Sequence, residues 1–325
     1  MAVYTQLSAE ALGALIGEYD VGTLVSAKGI AEGVQNSNFL IDTTGEDDRG
    51  ARYILTIYES QVVVDELPYF LGLLDHLSAA HCPVPRTIHD RTGASFRAFR
   101  GKALALIEFL PGVSLDQPTP AQARSVGGAL AQLHLAAESF SASRANDLSV
   151  TGWRRLADAC AGDFDAMDPQ LGSLVLAELA ALEADWPKDL PSGAIHADLF
   201  PDNVLMLGDT VTGLIDFYFA CTDMFAYDVA ITHAAWCFAS DGTGFDPAIS
   251  AGLLEGYEAV RPLSAAEHAA LPLLARGAAL RFTLTRAYDW VNTPKDALVT
   301  KKDPMAFARR LSFYAAHGES VFAGR

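Results

Sequence analysis

Apolar side chains fall at helical spacing from Ser8 to Tyr19, where Leu12, Leu15, Ile16 and Tyr19 share a face, and the period then changes. Leu24 to Ile30, Ser37 to Ile41 and Tyr53 to Tyr58 read as strands, the first two joined across a glycine-flanked turn and the third preceded by the polar run Asp42 to Arg52. Leu67 to Leu77 predicts a helix with Phe70, Leu71, Leu74 and Leu77 inward. Lys102 to Phe109 predicts another strand, which stops at Leu110-Pro111-Gly112. Beyond that break the period is helical over Ala121 to Phe140, Leu171 to Ala184 and Pro247 to Val260. Ser264 and Glu267 have the spacing of a capping box for a further helix, with a break expected at Pro272. Asp303-Pro304 offers an N-cap and a first-turn proline for the last. Only a short hairpin within Val204 to Phe217 interrupts the helical series. Strands early and helices late predict an α+β protein of two lobes: residues 1–107, a hinge at 108–112, and a helical lobe over 113–325.

That hairpin carries the chemistry. It is preceded by His196-Ala197-Asp198-Leu199-Phe200-Pro201-Asp202-Asn203-Val204-Leu205 and ends in Leu214-Ile215-Asp216-Phe217. An Asp, an Asn five residues on, and a second Asp closing the next apolar run are what phosphoryl transfer to a hydroxyl needs. Asp198 would orient and deprotonate the hydroxyl, while Asn203 and Asp216 would hold Mg2+, a hard cation that takes oxygen ligands. His196 enters as a catalytic-loop residue that braces by hydrogen bonds, and His134 as a helix residue packed beneath the loop. Trp153, Trp186 and Trp290 read as packing residues.

At these positions the chain resembles the aminoglycoside-phosphotransferase-like kinases, a superfamily of protein-kinase-like fold that also holds choline and methylthioribose kinases. The supporting stretches are Gly29 to Phe39, Ile195 to Val204, Leu214 to Cys221, and Ala279-Leu280-Arg281-Phe282 with Thr285 to Trp290. In detail they lie closest to the branch that phosphorylates L-homoserine on the route to threonine. The resemblance implies a small antiparallel-sheet lobe covering ATP, Mg2+ as cofactor, and a small hydroxylated acceptor. Choline, methylthioribose, an amino sugar or an aminoglycoside are alternative acceptors, and an inactive nucleotide-binding protein is the reading from another class.

The resemblance also assigns nucleotide contacts: Asn36, Ser37 and Asn38 after the glycine turn would offer donors to phosphate oxygens, and the backbone at Glu108 and Leu110 would meet adenine. The same residues would equally serve a hairpin turn and a strand end. A departure lies in the third strand, where Thr56 stands in place of the kinase lysine; Lys28 and Lys102 are the nearby cations. For homoserine, Arg281 would fork onto the carboxylate, with Arg286 the other candidate and a structural pair with Asp289 the alternative. Asp202, Tyr218 or Trp236 would face the ammonium.

Composition narrows the partners. With half of its 325 residues hydrophobic, the chain can fill a large core. A formal charge of −17 argues against nucleic acid or an anionic membrane as partner. Cys82, Cys160, Cys221 and Cys237 are scattered without paired spacing, and the start of the chain lacks a basic-then-apolar leader. No apolar run reaches the length of a membrane span. The expectation is a cytoplasmic enzyme, monomer or homodimer.

Overall fold

The computed structural model describes residues 5, 7–30, 36–46, 49–59, 64–293 and 301–323. The chain divides into two compact units, Met1–Gly112 and Val113–Arg325. The first contains α1 (Ala9–Ile16), β1 (Leu24–Ile30), β2 (Asn36–Thr43), β3 (Ala51–Tyr58), α2 (Leu67–Ala79), β4 (Thr87–Ile88), β5 (Arg97–Phe99) and β6 (Lys102–Glu108). Its strands form one antiparallel sheet in the order β1-β2-β3-β6-β4, with β5 also paired to β6.

Alternation along the strands sets the two faces of this sheet. Phe39, Ile41, Tyr53, Leu55, Ile57, Leu104 and Leu106 point to one face, where Leu12 and Ile16 of α1 join Tyr19 and Val21 to close a core. Asn38, Leu40, Ile54 and Thr56 occupy the other, in the register Asn38↔Thr56 and Leu40↔Ile54. Ser8 caps α1 through a hydrogen bond from the Ala11 amide. The edge strand β1 is exposed along most of its length and slips register between Leu24 and Ser26, which disrupts it as a template for further pairing.

The second unit contains α3 (Pro120–Ala137), α4 (Val150–Cys160), α5 (Phe164–Met167), α6 (Leu171–Asp185), β7 (Ser192–Ile195), β8 (Val204–Leu207), β9 (Thr210–Leu214), β10 (Cys221–Met224), α7 (Phe225–Trp236), α8 (Pro247–Glu258), α9 (Ala265–Asn292) and α10 (Met305–Phe322). Helices α3 and α8 approach until backbone meets backbone: a Cβ on Gly127 would lie 2.0 Å from the Leu253 carbonyl oxygen, and one on Gly256 would lie 1.9 Å from that of Arg124. Glycine is required at both positions for that approach. Trp153 and Trp186 pack edge to face at 4.9 Å, as their reading as packing residues requires. Trp290 does not pack in this way; it stands 43 % exposed with Lys301 over its ring.

Three further features depart from the sequence expectation. A second two-stranded sheet, β7 with β10, accompanies the β8–β9 hairpin. Helix α7 is buried on every side, so it has no polar stripe by which its period could be recognised. Helix α9 runs through Pro272 for 28 residues, with Pro272 itself buried. There the capping box at Ser264 and Glu267 and the apolar packing that follows outweigh the missing amide. Among the described residues no helix is long and apolar enough to cross a membrane.

Candidate active site

The site is built at the joint between β7 and the β8–β9 hairpin. As β7 ends, Ala197 adopts a left-handed conformation at φ 62°, and Asp216, just after β9, does the same at φ 67°. For residues with a Cβ this conformation costs about 1–3 kcal/mol, so the surroundings must hold it in place. They do so chiefly through Asp228, a carboxylate with no exposed surface on α7. One oxygen accepts the His196 amide at 2.7 Å and the other accepts the Ala197 amide at 2.8 Å. Burial alone would raise this carboxyl, but hydrogen bonds from His134 and the loop amide outweigh it and hold Asp228 below the ordinary range.

His134 continues the support. Burial keeps its pKa low, so the neutral ring donates from Nε2 to Asp228 at 3.1 Å and accepts the Tyr257 hydroxyl at Nδ1, 2.7 Å away. Arg261 in turn donates to the Tyr257 oxygen and to Glu267, so a buried chain of bonds joins the start of α9 to the turn at Ala197. His196 is held comparably: Nε2–H donates to the Ile215 carbonyl at 2.9 Å and Nδ1 accepts the Asp198 amide at 3.2 Å. With both ring nitrogens engaged and its pKa lowered by burial, His196 links the strand before Asp198 to the strand before Asp216.

Asp198 emerges from this scaffold only partly exposed. Burial first, and the charge of Asp216 second among the raising influences, push its carboxyl up to about 7, against the lowering charges of Arg281 and Lys302. Asp216 keeps an exposed surface, yet protein crowding and repulsion from Asp202 push it up to about 6; water screens part of that rise. Asn203 donates its amide nitrogen to the Asp198 carbonyl at 2.8 Å, which turns its amide oxygen the other way. Burial and neighbouring acids disfavour the ionised form of both carboxyls, so a cation beside them would lower that cost, and the Asn203 amide oxygen is free of the bond that its nitrogen makes. No three His, Cys, Asp or Glu side chains among the described residues converge into a closed metal cage.

Residues 26–263 match the phosphotransferase enzyme family. This chain belongs to that family. It is 53 % identical over 316 residues to a homoserine kinase of Xanthobacter autotrophicus, covering 97 % of each chain, and 52 % identical over 316 residues to one of Azorhizobium caulinodans, again covering 97 % of each. Among solved structures, a spectinomycin phosphotransferase in complex with ADP and spectinomycin superposes with a TM-score of 0.70 at 14 % identity, covering 97 % of this chain and 100 % of the other. That likeness establishes the protein-kinase-like fold: a small antiparallel-sheet unit and a mostly helical one.

Within this phosphotransferase, two residues read from sequence as acceptor contacts are buried and bonded to the backbone of the loop. Arg281 is 1 % exposed, donates to the Ala197 carbonyl, and sets its guanidinium 4.6 Å from the Phe282 ring. It braces the left-handed turn from behind. Trp236 is 1 % exposed and donates its indole N–H to the Leu199 carbonyl at 2.9 Å, supporting the loop from below. Arg281 was expected to fork onto the acceptor's carboxylate and Trp236 to wall its ammonium; in the structure each donates to a carbonyl of the loop. Asp202 is exposed, with Lys302 3.8 Å from its carboxylate, and Tyr218 is half-buried, its amide donating to Asp216.

In the sheet unit, Asn36 accepts the Glu59 amide and Ser37 donates to the Glu59 carboxylate, both side chains being buried, while Asn38 accepts the Thr56 hydroxyl at 2.9 Å. Gly33 and its neighbours in the glycine turn, 31–35, lie outside the described residues. Lys102 pairs with Glu59 and donates to the Thr5 hydroxyl. The register Lys28↔Leu40 and Leu40↔Ile54 sets Lys28 on the face of Thr56. Glu108 pairs with Tyr53 across β3 and β6, and its carboxylate accepts the Arg86 amide at 3.2 Å. Leu110 follows in the half-buried segment after β6.

The signal that sequence reading missed is Asp228. Asp228 is the one carboxylate among the twelve buried positions Phe225–Trp236; it had to be bonded to something, and the loop amides are what it bonds.

Proposed function

We propose that this chain is an ATP-dependent homoserine kinase that transfers the γ-phosphoryl group to the hydroxyl of L-homoserine, giving O-phospho-L-homoserine and ADP on the route to threonine. The observation that carries the reading is 53 % identity to a homoserine kinase across 97 % of both chains. The arrangement of Asp198, Asn203 and Asp216 supplies the chemistry.

Asp198, braced through Ala197 and Asp228, would accept the acceptor's hydroxyl proton as the oxygen attacks. Its raised proton affinity suits that role near neutral pH. Asp216 and the amide oxygen of Asn203 would hold Mg2+, which when bound neutralises charge on the phosphate oxygens. Asp202 and Tyr218 flank the acceptor, the former as a partner for its ammonium. Asn38 and Lys28, on the sheet face opposite α1, are proposed to meet the nucleotide phosphates, and the backbone at Glu108 and Leu110 to meet adenine. We place the enzyme in the cytoplasm, consistent with four buried cysteines that carry no disulfide.

The test is ADP release with Mg·ATP and, in turn, L-homoserine, choline, methylthioribose, kanamycin or no acceptor. Stimulation by homoserine above all others is expected. Stimulation by another acceptor alone would retain the phosphotransferase and overturn the substrate, while ATP binding without turnover on any acceptor would make the chain a nucleotide-binding protein.

A further inference from the structure

Beyond Asp198 the chain turns through Leu199-Phe200-Pro201-Asp202, and Phe200 lands in an aromatic cluster drawn from three elements. Its ring meets Phe282 of α9 edge to face at 4.9 Å and Phe307 of α10 at 5.9 Å, and those two rings lie 4.9 Å apart. Two cations border the cluster. Arg286, one turn beyond Phe282, sets its guanidinium 4.5 Å from the Phe307 ring. Lys302 lies 5.7 Å from the Phe200 ring and 3.8 Å from the Asp202 carboxylate.

Arg286 is half-buried, and its one hydrogen bond among the described residues goes to the Asp303 carbonyl at 3.1 Å. No carboxylate among the described residues stands within ion-pair distance of it. The negative groups it feels are Asp303, Asp198 and Asp202, and burial lowers its proton affinity. A half-buried guanidinium laid on one aromatic ring, with one nitrogen anchored to a carbonyl, keeps donors for a planar anion. Arg281 also donates to a single backbone carbonyl, that of Ala197, but it is 1 % exposed, whereas Arg286 is open enough to meet a ligand.

We propose that Arg286, assisted by Lys302, binds the carboxylate of the acceptor and thereby selects an α-amino acid over amines and sugars that lack one. The inference rests on the homoserine kinase reading and deepens it. The acceptor's hydroxyl lies at Asp198, its ammonium at Asp202, and its carboxylate at the two cations, so every charge on the zwitterion faces an opposite one. Choline and 3-amino-1-propanol keep the cation and the hydroxyl but offer no carboxylate to Arg286, and a half-buried cation without an anion is penalised.

Steady-state kinetics of Arg286→Met and Arg286→Lys, with L-homoserine and with 3-amino-1-propanol, test this. Wild type using homoserine is the control for the underlying reading: if no homoserine turnover occurs there, that reading has failed, and the acceptor cradle with it. Given turnover, Arg286→Met is expected to raise the homoserine KM about 30- to 300-fold, with the KM for ATP within about twofold of wild type. The kcat/KM for 3-amino-1-propanol should stay near wild type, so discrimination collapses. Arg286→Lys should recover part of it, since charge returns without the fork. Equal losses on both acceptors, at an unchanged melting temperature, would make Arg286 a packing residue and overturn the proposal. An unchanged homoserine KM would overturn it as well.

Discussion

Asp198 shows how a single residue can be tuned for chemistry at a cost to stability. Its carboxyl is raised from 3.8 to about 7, chiefly by burial. A carboxyl raised in the folded state binds its proton more readily there than in the unfolded chain, so unfolding becomes easier as pH climbs from about 4 to 7 and levels off above. Solvent screening at this partly exposed group leaves about 1–2 kcal/mol of that penalty. Asp198→Asn removes the titration. In metal-free buffer its melting temperature relative to wild type should rise by a few degrees between pH 5 and pH 8, while turnover falls by about 10²–10⁴-fold. A melting difference that is flat with pH would remove the claim that Asp198 titrates near neutrality. The Asp198, Asn203 and Asp216 pattern was legible in the sequence because each residue sits at a fixed offset along one short segment. Asp228 was not singled out, and the loop contacts of Arg281 and Trp236 were not foreseen, because their partners are backbone groups of the loop, 31, 84 and 37 residues away.

Elements with one buried face were legible to within a few residues: β2, expected over Ser37 to Ile41, runs Asn36–Thr43, and α8 starts at Pro247. Elements without contrast were not. Helix α7 is buried all round, and β4, β5, β7 and β10 have two to four residues each, too few to display a period. The close approach of α3 and α8 was also invisible, since glycine in a helix ordinarily reads as a weakness. Here it sets the distance between two helices that carry His134 and Tyr257, and through them the bond to Asp228. Gly256→Ala would place a methyl 1.9 Å from the Arg124 carbonyl oxygen, so the helices must separate. We expect a loss of about 1–3 kcal/mol, read as a lower midpoint in urea with little change in slope, together with reduced turnover as the His134–Asp228 bond lengthens. Gly72→Ala, where no atom lies within 4 Å of the added methyl, should cost nothing comparable. Equal effects from the two substitutions would refute the packing argument.

At the scale of the molecule, strand patterns prevail before Pro111-Gly112 and helical patterns after it, and the chain divides into two compact units, Met1–Gly112 and Val113–Arg325. Net charge adds a property that no single contact reveals. With 40 acidic against 23 basic side chains, the folded chain carries −17, and compaction forces like charges together. Exposed pairs such as Arg52–Asp42, Arg91–Asp20 and Arg124–Glu255 offset this weakly, each contributing about 0–1 kcal/mol. Salt screens both, but not equally: repulsion sums over many distant acids, whereas the pairs touch. Moving from about 0.01 M to about 0.15 M shortens the screening length from about 30 Å to about 8 Å, which removes most long-range repulsion and leaves contact pairs only partly weakened. Sodium chloride over that range should therefore raise the melting temperature by several degrees and then plateau. Sulfate would continue to stabilise through exclusion from the surface, so chloride is the informative salt. A melting temperature that falls with chloride would mean that the surface ion pairs, and not the net charge, dominate the electrostatics of this fold.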